Sequence, residues 1–324
     1  MRATKNHMFR HLLLAAGRWV DFACCKLHYA WCGGAPISSV CEADRFEEQF
    51  VALDQGVVRF GVFGDAAACR RCVVAVPDGP CVIEHLLPLV RAVRERDPGS
   101  LVLVFDMPGF GKSRPSLQFD HAPESVAELL DALLDHVGWA KPCVLHFTCS
   151  NGFSALAFAA RWPERTAAVV LAQTPSLSEM RAWVPHNVPQ AFRVPLFSQL
   201  LCFLAFRRLS DTWFKIALPK ASTLLDSFRA TSQRCFAAGG CFCLSGVVLG
   251  LEASADATEL LTRKVPASVA VTLVWGRADF SHRHTTPGSA LQTAIPHLRV
   301  EIWDGVGHFP NLEDVRKMSA LLTE

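Results

Sequence analysis

The feature that most constrains this chain is the alternation, from Phe46 onward, of short apolar runs with amphipathic helical stretches. Gln49 to Leu53, the turn Asp54-Gln55-Gly56 and Val57 to Phe63 read as a hairpin. Cys72 to Val76 reads as a buried strand, followed by Pro77-Asp78-Gly79-Pro80, a helical stretch through Arg96 and a second buried strand, Leu101 to Phe105. Glu124 to Val137 has helical spacing, Cys143 to Phe147 is a strand, Phe153 to Arg161 is a helix stopped by Pro163, and Ala168 to Ala172 is a strand. Strands resume at Val269 to Trp275 and Arg299 to Trp303, and Leu312 to Leu322 closes the chain as a helix. Such alternation predicts an α/β fold, a mostly parallel central sheet flanked by helices, with ligands bound beyond the carboxyl ends of the strands.

The interruption of this pattern is equally informative. Between about Pro175 and Pro266 the strands cease and aromatic-rich helical segments holding Trp183, Trp213, Phe214 and Phe228 take over. A break of that kind between two sheet strands predicts an inserted helical lid. The expected organisation is an N-terminal extension over 1–45, an α/β core over 46–174 and 267–324, and a lid over 175–266. Apolar residues make up 51% of the chain and charged residues 19%, which excludes disorder. A net charge of +2, with both signs mixed along the chain, offers no basic stripe, so nucleic acid is not an expected partner.

The first 34 residues differ from the rest. Arg2, Lys5, Arg10, Arg18 and Lys26 alternate with Leu, Phe and Trp, and the one acid is Asp21. That pattern suits either an amphipathic helix making peripheral contact with an anionic membrane or an organelle presequence. It equally suits a helix packed on its own domain. The longest apolar run of the second half, around Leu200 to Phe206, falls well short of the roughly 20 residues a spanning helix needs. Thirteen cysteines without a small-scaffold spacing, and no clean signal peptide, point to a reducing intracellular compartment, cytoplasmic or organellar, rather than secretion. Cys69 and Cys72 form a CxxC with no second pair at zinc-ligand distance, so they are expected to be structural. No metal or cofactor is expected.

Asp106-Met107-Pro108-Gly109-Phe110-Gly111-Lys112-Ser113, directly after a buried strand, resembles the D-x-P-G-x-G-x-S loop of α/β-hydrolases. In that family the loop is structural. Gly276-Arg277-Ala278-Asp279 ends one strand and Gly305-Val306-Gly307-His308-Phe309 follows the last, where these enzymes place the acid and the histidine of a triad. The resemblance therefore implies Asp279 as the acid that holds the imidazole's tautomer and His308 as the base.

The nucleophile must lie in the strand-to-helix turn between Cys143–Phe147 and Phe153–Arg161, which leaves Cys149 and Ser150. In the family the following helix commonly ends in P-E-R about fourteen residues on, so Pro163-Glu164-Arg165 points back to Cys149, with Gly152 packing helix against strand. Steric demand for small residues on both sides favours Ser150 instead, flanked by Thr148 and Gly152. Register weighs more, since Asn151 tolerates a left-handed backbone and the helix length is hard to change. A cysteine here suits the chemistry, because a helix N-terminus and an imidazolium both lower a thiol's pKa; some family members, such as those resembling dienelactone hydrolase, use one.

Pro77-Asp78-Gly79-Pro80 departs from the family's H-G-x-P oxyanion loop. The expected donors are the N–H groups of Gly79 and Ser150, and Asp78 is harmless only if it points away. The resemblance is closest to the lidded branch that includes epoxide hydrolases, haloalkane dehalogenases and C–C-bond hydrolases. The first two attack with Asp, and no Asp stands between Val144 and Phe153. The expected activity is carbonyl hydrolysis of an ester, thioester, lactone or C–C bond in a small apolar substrate, most simply as a carboxylic ester hydrolase. The alternative is a binding protein on an inactive hydrolase scaffold.

Overall fold

The computed structural model describes residues 2–32 and 46–324, so positions 33–45 of the expected N-terminal extension lie outside the described residues. Helix α1 (Arg2–Trp31) precedes the hairpin β1 (Gln49–Leu53) and β2 (Gly56–Phe63). Strand β3 (Arg71–Ala75), helix α2 (Ile83–Arg96), strand β4 (Ser100–Phe105), the short β5 (Phe110–Gly111) and β6 (Arg114–Pro115), helix α3 (Pro123–His136), strand β7 (Cys143–Thr148), helix α4 (Gly152–Arg161) and strand β8 (Thr166–Ala172) follow. A helical insertion then carries α5 (Leu177–Asn187), α6 (Phe197–Leu204), α7 (Phe206–Ala217), α8 (Leu225–Ala237), the short strand β9 (Cys241–Phe242), α9 (Leu244–Ala253) and α10 (Ala255–Thr262). Strand β10 (Ala270–Gly276), α11 (Ser289–Ala294), β11 (Arg299–Trp303), α12 (Pro310–Glu313) and α13 (Val315–Thr323) complete the chain.

The main sheet runs β1-β2-β4-β3-β7-β8-β10-β11. β1, β2 and β4 pair antiparallel; from β4 to β11 every pairing is parallel. Strands β4 and β7 are buried along their whole length, as strands covered on both faces must be. The pleat divides them between two cores: Leu101, Leu103 and Phe105 join the α3–α4 side, while Val102 and Val104 join the α2–α13 side. Parallel strands so arranged bring the ends of β3, β7, β8, β10 and β11 to one edge, and the candidate residues with them.

The loop after β4 is held by charge. Asp106 accepts from Arg59 Nη1 at 3.0 Å, from the Ile83 N–H at 3.0 Å and from the Lys112 N–H at 3.2 Å. Gly111 has a φ of 52°, and a Cβ there would lie 1.9 Å from the Asp106 carboxylate, so only glycine lets the turn close. The same loop pairs with the insertion through β5 and β9.

Helix α1 lies against the insertion and the edge of the core, contacting α6, α9, β6 and β9. Helix α1 is thus packed on its own domain, while Leu12, Trp19, Leu27 and Trp31 stay exposed. Among the described residues, no helix is long and apolar enough to cross a membrane. Cys69 and Cys72 are buried and unbonded.

Candidate active site

β7 is extended through Thr148, with φ −121° and ψ 148°. Cys149 then takes a φ of 50°, a left-handed conformation that costs a residue with a Cβ on the order of 1–2 kcal/mol. A 3-10 turn over Cys149–Asn151 passes directly into α4. Glycine is required at 152, since a Cβ would lie 2.2 Å from Thr174 Oγ1. The left-handed residue of the turn is thus Cys149 itself. Asn151 is right-handed at φ −66°, and its Nδ2 donates to the Pro77 carbonyl at 3.1 Å, tying the turn to the loop after β3. Ser150 lies half-buried in the same turn. The Cys149 thiol lies within 4.8 Å of a His308 ring nitrogen, and His308 Nε2 has no hydrogen-bond partner among the described residues.

Asp279 and His308 meet as their strand positions imply. His308 Nδ1 donates to Asp279 Oδ2 at 2.7 Å. The same oxygen accepts from Gln173 Nε2 at 2.7 Å, while Oδ1 accepts the Ser281 N–H at 2.8 Å and the Ser281 hydroxyl at 2.7 Å. Burial alone would raise the Asp279 pKa, but the His308 charge and these donors outweigh it and hold the carboxyl well below its ordinary range. Burial likewise opposes charge on His308, yet Asp279, Asp78 and Cys149 together hold the imidazole pKa well above its ordinary value.

Asp78 does not point away. Its Oδ2 lies 3.4 Å from His308 Nε2, the ring nitrogen opposite the Asp279 contact. Burial raises the Asp78 pKa, His308 opposes the rise, and Asp279 adds to it. This changes the expected thiol chemistry. Burial, and after it the Asp78 charge, push the Cys149 pKa up, and the His308 contact offsets only part of the rise. The expectation of a lowered thiol pKa is therefore corrected: a buried thiol facing a carboxylate is held as the neutral form, whatever the nearby helix N-terminus contributes.

Several neighbours could not be read from strand positions. Gln173, left-handed at φ 52°, bridges Asp279 and the Gly276 N–H, which donates to its Oε1 at 2.6 Å. His282 stacks on His308 with ring centroids 5.4 Å apart, and Trp183 stacks on its other side at 5.3 Å. Burial and His308 lower the His282 pKa to about 4, so it is neutral at pH 7. From the insertion, Trp213 meets the His308 ring edge-on at 4.9 Å, and the Ala217 carbonyl accepts the His308 N–H at 2.9 Å. The donor atoms of Cys149, His282 and His308 lie within 4.8 Å of one another, but His308 Nδ1 is already committed to Asp279.

The sequence profile described as the alpha/beta hydrolase family matches residues 73–320. No curated protein sequence matches the chain. Among solved structures, the chain is similar to epoxide hydrolase A of Mycobacterium thermoresistibile, at 18% identity and a TM-score of 0.67 over 86% of this chain and 97% of that one. It is similar to the 2-hydroxy-6-oxo-6-phenylhexa-2,4-dienoate hydrolase of a Rhodococcus strain, at 18% identity and 0.62 over 86% and 97%. It also resembles a bacterial membrane phospholipase A, at 18% identity and 0.60 over 99% and 96%. At such identities these structures establish a common fold. With the family profile spanning most of the chain and the sheet order and insertion in agreement, the chain belongs to the alpha/beta hydrolase family.

Proposed function

We propose that the chain is a hydrolase that attacks a carbonyl, in an ester or thioester, with Cys149. The observation that carries this reading is the left-handed Cys149, which presents its thiol to an imidazole whose opposite nitrogen is held by Asp279. The reacting form has His308 neutral at Nε2, a form gained as pH rises because the flanking carboxylates raise the imidazole pKa: Sγ bonds to the carbonyl carbon, the thiol proton passes to His308 Nε2, and the carbonyl π electrons move to oxygen. The bond to the leaving group then breaks, and that group takes the Nε2 proton. Water, deprotonated by His308, attacks the thioester; the C–S bond breaks and the thiol regains its proton. The Ser150 and Gly79 N–H groups are the proposed donors to the oxyanion. A charged Asp78 opposes that oxyanion, and burial, which raises its pKa, makes it easier to protonate as negative charge develops there.

The insertion over 175–266 is proposed to act as the lid. Trp213 and Ala217 cover His308, so substrate access requires α7 to move. Trp213 against His308 and Trp183 against His282 fit a small apolar substrate. We further propose peripheral membrane contact through α1 and α6. Leu12, Trp19, Leu27 and Trp31 on the first and Phe197 and Leu204 on the second are exposed on contacting helices. The basic residues of α1 suit an anionic surface, and resemblance to the membrane phospholipase A over 99% of the chain fits a lipid-like ester. A second reading, a binding protein on an inactive scaffold, draws on Asp78, which stabilises the neutral thiol.

Paired substitutions test the nucleophile. If Cys149 attacks, Cys149→Ser abolishes turnover of an activated ester and Ser150→Ala retains most of it, because alanine keeps the N–H. Loss in Ser150→Ala with retention in Cys149→Ser assigns the serine instead. Two unaffected variants of an active protein would place the site elsewhere.

A further inference from the structure

A second buried cluster, built from three separate parts of the chain, is not used by the proposed chemistry. Asp21 and Cys25 project from α1, one helical turn apart on the same face. His121 comes from the loop between β6 and α3, and Cys243 follows β9 in the insertion. The donor atoms of Asp21, His121 and Cys243 lie within 4.8 Å of one another, and the Cys25 and Cys243 sulfurs are 3.5 Å apart. All four residues are buried. Among the described residues, neither ring nitrogen of His121 has a hydrogen-bond partner, nor does Asp21 Oδ2, although His121 is 5% and Asp21 4% exposed.

Buried polar atoms are normally satisfied, so unpartnered donors converging on one point call for a missing partner. The backbone closes tightly on them, and only glycine fits at its two nearest positions. A Cβ on Gly246, in the interior of α9, would lie 2.7 Å from His121 Nε2 and 2.9 Å from Asp21 Oδ2. One on Gly109 would lie 2.9 Å from Cys243 Sγ and 2.9 Å from His121 Cε1. His121 itself adopts a φ of 59°, a left-handed backbone that a non-glycine residue seldom takes without compensation. A cavity of about 240 Å³ lined by Arg18, Asp21, His121 and Gly246 adjoins the cluster and provides a path for an ion.

We propose that Asp21, His121 and Cys243 bind a zinc ion, with Cys25, whose sulfur lies beside that of Cys243, turning in as the fourth ligand. Two sulfurs, one imidazole nitrogen and one carboxylate oxygen are a donor set zinc accepts, and a tetrahedral site with Zn–S bonds of about 2.3 Å needs sulfurs roughly 3.8 Å apart. Two thiolates and one carboxylate around Zn²⁺ leave a single negative charge, which Arg18 at the same cavity balances. With Cys25 turned in, four protein ligands leave no open position and the ion is structural: it ties α1, the loop before α3 and the insertion together, and its binding stabilises those contacts.

The test is the metal content of the full-length protein purified under reducing conditions, with zinc alone as the titrant. The expected result is about one tightly held zinc per chain, lost in His121→Ala and Cys243→Ala and retained in Cys149→Ala. Alkylation followed by mass spectrometry should find Cys25 and Cys243 protected until a chelator removes the ion, and removal should lower the melting temperature. Where an alanine variant fails to fold, cobalt exchanged into the wild type decides the matter: an intense thiolate-to-cobalt band with tetrahedral ligand-field absorption supports the site, and its absence overturns it. Failure to bind zinc also overturns the proposal. So does a Cys25–Cys243 disulfide under those conditions, or zinc that is lost in Cys149→Ala, which would place the ion at the Cys149, His282 and His308 cluster instead.

Discussion

His308 lies between two buried carboxylates, and the protein treats them oppositely. Asp279 accepts four hydrogen bonds on its two oxygens, from His308, Gln173 and twice from Ser281. Asp78 faces the other ring nitrogen across 3.4 Å. One pKa is driven down and the other up. The comparison teaches that burial alone does not set a carboxylate's charge. What decides is the charge and the donors set beside it: for Asp279 the His308 charge leads, and donors on the β8–β10 side of the ring add to it. Asp279 is a settled anion that orients His308; Asp78 is an unsettled one that competes for the proton His308 would take from Cys149.

The largest effect should come from the settled side. His308→Ala should reduce ester turnover by at least about a hundredfold, the usual contribution of a positioned acid–base. Asp279→Asn should approach that loss with little change in KM, because the amide favours the wrong tautomer. Steady-state kinetics on folded variants checks both, and wild-type turnover in either would dissolve the contrast.

A smaller effect of opposite sign is expected from Asp78→Asn. Removing the charge lowers the Cys149 pKa, so alkylation of Cys149 near pH 7 should become severalfold faster and the pH midpoint of alkylation should move down. A midpoint unchanged in Asp78→Asn would show that burial alone holds the thiol neutral.

The two carboxylates also predict opposite dependence of stability on pH. Asp279, whose folded pKa is depressed, contributes stability that is present above its unfolded value of 3.8 and is lost as pH falls through the folded value. Asp78, whose folded pKa is raised, contributes relative stability below 3.8 that is lost as pH rises through the folded value. Melting temperatures should accordingly show Asp279→Asn destabilised at pH 7 and Asp78→Asn stabilised there, both differences shrinking toward acid.

How much of this was legible in the sequence follows from what is local. Strand β4 is an apolar run after Ser100 and β7 an apolar run broken by His146, and their bounds differ from the expected ones by a single residue. The loop at Asp106, and the strand ends before Asp279 and His308, are fixed offsets from such runs. Asp78 was visible as an odd residue in a recognisable loop, but its direction depends on where His308 arrives from the far end of the chain. Gln173, Ser281 and His282 carried no signal, since their roles come from packing between β8, β10 and the insertion. For α1, basic and apolar residues were legible, while its docking on α6 and α9 needed partners more than 160 residues away to be in place.

The smallest effect lies at that surface. Trp19→Ser with Phe197→Ser should leave turnover of a soluble ester unchanged and weaken binding to anionic vesicles in a salt-sensitive way. Vesicle sedimentation at low and high salt checks it, and undiminished binding would remove the membrane contact.

The central claim, that Cys149 attacks a carbonyl, is tested most directly by trapping the covalent intermediate. The protein is exposed briefly to an activated thioester at neutral pH, quenched in acid, digested and sequenced by mass spectrometry. Acylation of Cys149, removable by hydroxylamine and accumulating in a variant slowed in deacylation, is the expected result. Acyl groups on Ser150, or a Cys149 that stays free while the ester is turned over, would contradict it.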